Sequence, residues 1–194
     1  MQKLSISDEM LLEFMPYWEK MHEENTNTLT ALFANADATI KDKVKQLNRL
    51  YRTRLSSKSI DAAIEILTEF DNICDLLNHG NIEVVDEIRR RVKGKKDKNG
   101  KPLHDCLVFV SKYCTFCNPN KFIIYDSYVA GKLQKINKIF KFTKHQKSSY
   151  FKRNTDYKIW LDIVHDFKEF FAITLDSRTL DKCLWGWVES EKSK

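Results

Sequence analysis

Turn-forming residues are scarce in this sequence. It has five glycines and three prolines in 194 residues, whereas an all-β fold needs many turns and therefore many such residues. A hydrophobic content of 42% and an aromatic content of 12% are enough for one well-packed core. The sequence therefore predicts an all-α fold, a single compact multi-helix domain over residues 1–194. The alternative within that fold is two helical lobes, 1–92 and 103–190, with a cleft between them and the basic loop 93–102 connecting them.

Long hydrophobic runs are also missing. No apolar stretch approaches the roughly 20 residues of a membrane-spanning helix, and Met1–Ser7 lacks the hydrophobic core of a signal peptide. These absences predict a cytoplasmic protein with no membrane partner. The five cysteines agree with this location, because an odd number in a chain of this size does not indicate a disulfide framework.

One close cysteine pair, Cys114 and Cys117, raises the question of a zinc site, to which Cys106 and His104 could contribute. Structural zinc sites of the Cys-x-x-Cys type normally have two separated arms. Here the second arm is missing, and the pair lies in an apolar stretch that we expect to be helical. The sequence therefore predicts reduced, buried cysteines, with no metal and no cofactor.

Hydrophobic periodicity places the helices and their breaks. The first helix begins after Ser7, and Pro16 should kink or divide it. The polar run Asn25–Thr28 predicts a break. A later helix, with apolar positions from 60 to 77 at helical spacing, should be capped by Ser59.

The net charge of +6 conceals a segregation of charge. Residues 89–101, the first basic segment, have eight cations against one acid, and residues 132–153, the second basic segment, have eight cations and no acid, while the rest of the chain is net acidic. Such concentration predicts a polyanionic partner, and we expect DNA, with duplex and single strand left open. The alternative is that both segments are solvated loops. The candidate nucleic-acid-binding residues are Arg89, Arg90, Lys93, Lys95, Lys96, Lys98, Lys101, Lys132, Lys135, Lys152 and Arg153.

A lysine and an aspartate stand at a notable spacing. Lys112 follows the apolar run Leu107–Val110, and the turn Asn118–Asn120 and a second apolar stretch then lead to Asp126, where a new helix should begin. A lysine amine held among apolar side chains loses proton affinity and can attack an electrophilic carbon. The alternative is structural: Lys112 extends its amine to solvent and Asp126 caps the next helix.

A resemblance to a known family favours the chemical interpretation. The segment Phe122–Val129, with Lys112 upstream, resembles the catalytic segment of the helix-hairpin-helix DNA glycosylases, in particular the small bacterial proteins similar to 8-oxoguanine DNA glycosylase. In that superfamily a lysine attacks the sugar carbon of a damaged nucleotide, and an aspartate assists departure of the base. The resemblance implies that Lys112 is the nucleophile and Asp126 the carboxylate of a glycosylase and Schiff-base lyase in DNA repair.

Two functions of different class follow from these observations. The first is the glycosylase, which would hold a flipped base with aromatic rings. The candidate rings are Tyr113, Tyr125, Tyr128 and Trp187, the last of which we expect to be exposed. The second is a non-catalytic basic helical module that binds nucleic acid or a protein partner. In that module Lys112 and Asp126 would form a structural ion pair or be separate surface groups.

The loop 93–102 is a candidate phosphate-binding element. The helix-hairpin-helix has a glycine-rich turn before its lysine, but Cys106–Ser111 contains no glycine. We expect that changing Lys95, Lys96 and Lys98 together to glutamine weakens DNA binding and lessens its salt dependence. Each phosphate that the protein no longer contacts keeps its counterion, so fewer counterions are released on binding. Fluorescence anisotropy at several salt concentrations measures both quantities.

The control for this loop variant neutralises three lysines outside both basic segments, Lys20, Lys41 and Lys45. The control should retain the salt dependence of the unmodified protein. DNA binding that is unchanged in the loop variant would count against the phosphate-binding role.

Overall fold

The computed structural model describes residues 6–53, 55–70, 72–97 and 99–192. Over these ranges the chain forms ten α-helices and one 3-10 helix, and no strand beyond one isolated bridge. The prediction of an all-α fold is therefore confirmed. The helices are α1 Asp8–Leu12, α2 Met15–Ala34, α3 Ile40–Tyr51, α4 Ser57–Glu69, α5 Ile73–Asn78, α6 Glu83–Gly94, α7 Leu107–Cys117, α8 Ser127–Phe140, the 3-10 helix Ser148–Phe151, α9 Tyr157–Phe170 and α10 Ser177–Lys192.

The chain divides into two compact units. The middle unit comprises residues 24–125, and the terminal unit comprises residues 1–23 together with 126–194. The lobes 1–92 and 103–190 expected from the sequence stay a prediction. The loop 93–102 lies within the middle unit, because Leu103 donates its backbone N–H to the Lys95 carbonyl at 2.9 Å and closes the loop into a hairpin.

The middle unit is built around α7. Helices α3, α5 and α6 all contact α7, and α4 packs against α3 and α6. The sequence of α6 explains its orientation, since its buried valines and isoleucine recur at helical spacing along one face. These residues are Val84, Val85, Ile88 and Val92.

The terminal unit is organised by α10, which contacts α1 and α8, while the 3-10 helix contacts α8 and α9. Gly186 allows the close approach of α10 to the chain after α1. A Cβ atom at this position would lie well inside van der Waals contact of the Phe14 carbonyl oxygen. The next residue, Trp187, stacks on the Phe14 ring with 5.3 Å between ring centroids and an interplanar angle of 8°.

Pro16 divides the N-terminal helical stretch, as predicted. It is the second residue of α2, where a missing backbone N–H costs no helical hydrogen bond. The expected break at Asn25–Thr28 is absent, because α2 continues through it to Ala34. The helix expected over residues 60 to 77 is two helices, α4 and α5, and Phe70 between them has an extended backbone.

No helix among the described residues combines the length and the apolar character needed to cross a membrane.

The close approach at Gly186 gives a stability test. Gly186→Ala should lower the free energy of unfolding by about 1–3 kcal/mol, because the added methyl group must displace backbone. The matched control is Gly131→Ala in α8, where an added Cβ meets nothing within 4 Å. That change should stabilise the protein by roughly 0.5–1 kcal/mol, since alanine is the better helix former. Urea denaturation measures both; equal effects of the two substitutions would contradict this packing.

Candidate functional site

Lys112 lies in the middle of α7 and is 7% exposed. Its position is buried because the flanking residues of α7 are apolar on nearly every side of the helix. The Nζ atom lies 4.8 Å from the centroid of the Tyr51 ring, a distance typical of a cation–π contact. The sequence did not single out Tyr51, because only the packing of α3 on α7 brings the two residues together.

The chain between Lys112 and Asp126 is fixed to the middle unit at two points. The side-chain amide of Asn118 donates to the carbonyls of Leu77 and Asn78, each at 3.1 Å. The backbone N–H of Tyr125 donates to Ser111 Oγ at 3.0 Å. This second bond joins Tyr125, the residue before Asp126, to Ser111, the residue before Lys112. The bond therefore holds the end of the approach to Asp126 against α7.

Asp126 is the N-cap of α8 and is 9% exposed. Its Oδ1 atom accepts the backbone N–H groups of Tyr128 at 2.8 Å and of Val129 at 3.4 Å. Capping explains why aspartate suits this position, since the first N–H groups of a helix have no partner within it. The carboxylate is thus held in one orientation at the start of α8. Asp126 is also the residue at which the chain passes from the middle unit to the terminal unit.

Within the described part of the chain, four of the eight cations of the first basic segment are paired with acids of the middle unit. Arg89 is buried, and its guanidinium binds both oxygens of Asp105, with Nε–Oδ1 at 3.1 Å and Nη2–Oδ2 at 2.8 Å, and also binds Asp86. Burial alone would lower the pKa of Arg89, but the hydrogen bonds and charge of Asp105 and Asp86 raise it. This geometry favours a structural role for Arg89 over phosphate binding.

Other cations of the first segment are also engaged. Arg90 binds Glu87 at 2.7 Å and Lys95 binds Glu65 at 2.7 Å. The hydrogen bond to Glu65 raises the pKa of Lys95. Three further candidates are exposed, and one lies outside the described residues. The exposed ones are Lys93, Lys96 and Lys101, and the one outside is Lys98.

The loop 93–102 is a tight hairpin organised by Asp97. Its Oδ1 atom accepts the backbone N–H groups of Asn99 at 2.8 Å and of Lys101 at 2.9 Å, and these hydrogen bonds lower the pKa of Asp97. The bridge between Lys96 and Pro102 closes the hairpin. The one acid in this basic loop therefore has a structural role in the turn.

In the second basic segment, Lys132 is nearly buried. Its Nζ lies 3.8 Å from the Trp187 ring centroid and is paired with Glu191. The remaining candidates of this segment, Lys135, Lys152 and Arg153, are exposed.

The four aromatic side chains proposed to hold a base differ in their exposure to solvent. Tyr113 and Tyr125 are buried, and Trp187 is also buried rather than exposed, because it is stacked on Phe14 and covered by Lys132. Tyr128 is exposed, and the Lys192 Nζ lies 4.2 Å from its ring centroid. Of the four, Tyr128 therefore has the access that a base would need in this structure.

Two of the cysteines considered for a zinc site, Cys106 and Cys117, are largely enclosed thiols. Cys106 and Cys117 are free, and burial raises the pKa of both thiols to about 12, so that both keep their protons at neutral pH. Among the described residues, one group has ligand atoms within 4.8 Å of one another, namely His165, Asp166 and Glu169. Two of these three side chains are exposed, as is common for acidic groups on a helix surface.

The hydrogen bond between Tyr125 and Ser111 gives a test of the local geometry. Ser111→Ala leaves the buried Tyr125 N–H without this acceptor and should cost about 1–3 kcal/mol of stability. Urea denaturation measures the loss, and hydrogen exchange should show faster exchange at the Tyr125 amide. Ser149→Ala, at an exposed serine, is the control. Unchanged protection of the Tyr125 amide would contradict the role given to Ser111.

Comparison with known proteins identifies relatives over much of this chain. The profile of the HI_0787_N family, described as an N-terminal domain, matches residues 9–121. An uncharacterized protein of Haemophilus influenzae is 30% identical over 162 residues, which cover 81% of this chain and 71% of that protein. No solved structure gives a significant match. The range of the family match includes Lys112 and ends before Asp126.

Proposed function

We propose that this chain, which belongs to the HI_0787_N family of N-terminal domains, is a DNA glycosylase-like protein. In this proposal Lys112 attacks the sugar of a damaged nucleotide and Asp126 assists departure of the base. The observation that carries the proposal is the buried lysine of α7, together with the hydrogen bond that holds Tyr125, the residue before Asp126, on Ser111.

The surroundings of Lys112 suit an amine that must be held in place. Lys112 is 7% exposed, and its Nζ atom lies 4.8 Å from the centroid of the Tyr51 ring. A nucleophile needs a fixed direction of attack as well as a neutral amine. The packing of α7 supplies that direction, because the lysine stem is enclosed by the helix neighbours.

The Asp126 carboxylate is held in one orientation, which suits its proposed role of stabilising positive charge on the sugar. Two backbone N–H groups at the start of α8 hold its carboxylate, so the negative charge does not need to reorganise during a reaction. Such a carboxylate stabilises the positive charge that develops on the sugar as the base departs.

The proposed reaction forms a bond between nitrogen and C1′ of the sugar and breaks two bonds at C1′, first the glycosidic bond and then the ring bond to O4′. The Lys112 nitrogen forms a bond to C1′, and the glycosidic bond breaks with its electron pair on the base, which takes up a proton. The C1′–O4′ bond then breaks with its electron pair on O4′, which takes up the proton lost from the amine, and the double bond between nitrogen and C1′ is the imine, the Schiff base. Borohydride reduces this imine to a stable amine, which links protein and DNA.

A non-catalytic nucleic-acid-binding module is the second candidate. It is favoured by the complete structural role of Asp126 as the cap of α8 and by the cation–π contact of Lys112. Each group has a stabilising function in the fold that requires no substrate.

We further propose a cytoplasmic location. All five cysteines are free thiols, and disulfides are rare in the cytosol. The odd number of cysteines also supports this location.

Borohydride trapping separates the two functions. The protein is incubated with duplexes that contain 8-oxoguanine, uracil or an abasic site, and borohydride is then added. We expect a covalent adduct with at least one lesion, and we expect Lys112→Gln to abolish it because no other amine occupies this position. Denaturing gel electrophoresis measures the adduct.

The matched control is Lys121→Gln, which removes an exposed lysine from the turn after α7 and should leave trapping intact. Circular dichroism establishes that both variants are folded. Retention of DNA without an adduct on any lesion would support the binding module and reject the glycosylase.

A further inference from the structure

Exposed lysines without an acidic partner are concentrated in the second basic segment. Within residues 6–53, 55–70, 72–97 and 99–192, five lysines of this segment are exposed and form no ion pair. They are Lys135, Lys138, Lys141, Lys147 and Lys152. In the first basic segment the arginines and Lys95 bind carboxylates instead, and three exposed lysines remain. The two basic segments therefore differ in their number of exposed, unpaired lysines, five in the second and three among the described residues of the first.

One large apolar side chain in the second segment and another in α9 are exposed to solvent, whereas no large apolar side chain is exposed among the described residues of the first segment. Ile139, in the last turn of α8, is 72% exposed, and Phe170, the last residue of α9, is 52% exposed. The rings of Phe140 and Phe170 lie 6.4 Å apart between centroids, and Ile139 is the residue before Phe140 in α8. We refer to Ile139, Phe170, Lys135, Lys138 and Lys141 together as the apolar–cationic patch.

Buried side chains and a hydrogen bond next to the apolar–cationic patch fix the backbone there. Phe142 and Phe167 are buried, with ring centroids 5.4 Å apart, and join the ends of α8 and α9. Asn137 Oδ1 accepts the backbone N–H of Thr143 at 3.2 Å, and this bond fixes the chain that leaves α8. Since these neighbours complete the core at this point, Ile139 and Phe170 are not needed to cover it.

Helix geometry places Ile139 among cations. Lys135 and Lys138 are four residues and one residue before it, so that Lys135 and Ile139 share one helical face. Lys141 caps α8 with a left-handed backbone, φ 54°. Lysines near a helix C-terminus also complement its dipole. That effect accounts for Lys138, but it explains neither the exposed apolar side chains nor the lysines at 147 and 152.

We infer that the apolar–cationic patch binds nucleic acid whose bases are unstacked, as in a single strand or an unpaired stretch of duplex. Lysines attract the phosphates, and the exposed apolar side chains contact base faces, which a stacked duplex hides. The inference rests on the nucleic-acid partner of the proposed function and names the form of strand that it binds.

An anionic lipid surface is the competing partner, and the patch fits it less well. Binding to lipid grows with the apolar area that is buried in the interface. Here four other apolar residues of α8 are buried in the core, namely Val129, Ala130, Leu133 and Ile136. One side chain from each of two helices is a small area for lipid, but it is sufficient to contact one or two bases.

The charge part of the test compares two triple variants of the full chain. One changes Lys135, Lys138 and Lys141 to glutamine, and the control changes Lys20, Lys41 and Lys45, which are exposed lysines outside both basic segments. The probe is a labelled oligothymidine of about 20 nucleotides, measured by fluorescence anisotropy from low to moderate salt. The patch variant should lose affinity by roughly tenfold to a hundredfold and lower the salt slope by about 2, because three phosphate contacts are lost. The control should change by less than about threefold.

The apolar part of the test uses Ile139→Ser and Phe170→Leu. Ile139 is exposed enough to change without affecting the core, and leucine at position 170 keeps most of the packing while it removes the flat ring. Each variant should lower affinity for oligothymidine by about fivefold, with little change for a duplex of equal length and with the salt slope unaltered. Thermal unfolding establishes that the variants are folded.

Three results would overturn the inference. They are equal losses in the two triple variants, an unchanged preference for single strand over duplex in both apolar variants, and binding to phosphatidylserine vesicles with none to oligothymidine. None of these variants alters Lys112. Trapping that depends on Lys112 alongside intact oligothymidine binding in the patch variants would reject this inference alone, whereas patch-dependent binding without trapping would reject only the glycosylase.

Discussion

The burial of α7 is the constraint on which the middle unit depends. Eight of its eleven residues are buried, and α3, α5 and α6 pack around it. Its polar residues fit this environment because they are hydrogen-bonded: Thr115 Oγ1 donates to the Ser111 carbonyl at 2.8 Å, and Ser111 Oγ accepts from Tyr125. The helix cannot shift without exposing apolar surface and breaking these bonds. The position of Lys112 is therefore set by the same packing that stabilises the unit.

The helical content could be predicted from composition and periodicity, but the breaks between helices could not. The polar run Asn25–Thr28 has the composition of a loop, yet α2 continues through it, and Thr26 within the run is hydrogen-bonded to the Tyr51 hydroxyl. That partner is distant in sequence. The cap of α4 was predicted at Ser59 and is Ser56, whose Oγ accepts the Ser59 N–H at 3.2 Å. Two serines three residues apart offer equal local signals, and the packing of the helix decides between them.

For the candidate site, the sequence identifies candidate residues but not the ion pairs and ring contacts that each one makes. A count of charges cannot distinguish Arg89, bound to Asp105, from Lys135, which is exposed. Trp187 was expected to be exposed, but the glycine before it lets α10 approach Phe14 closely enough for the two rings to stack. Pairing and stacking depend on contacts between distant parts of the chain, so neither follows from local pattern. The roles of Lys112 and Asp126 stay predictions.

The most direct test of the central claim is to locate the covalent bond. After borohydride reduction with an abasic duplex, nuclease digestion and trypsin treatment, mass spectrometry identifies the lysine that holds the sugar. A modified Lys112 blocks cleavage, so the account predicts the sugar remnant on the single peptide 99–121 rather than on separate peptides 99–112 and 113–121. A remnant spread over surface lysines or on the N-terminal amine, with an unmodified 99–112 peptide, would contradict the account.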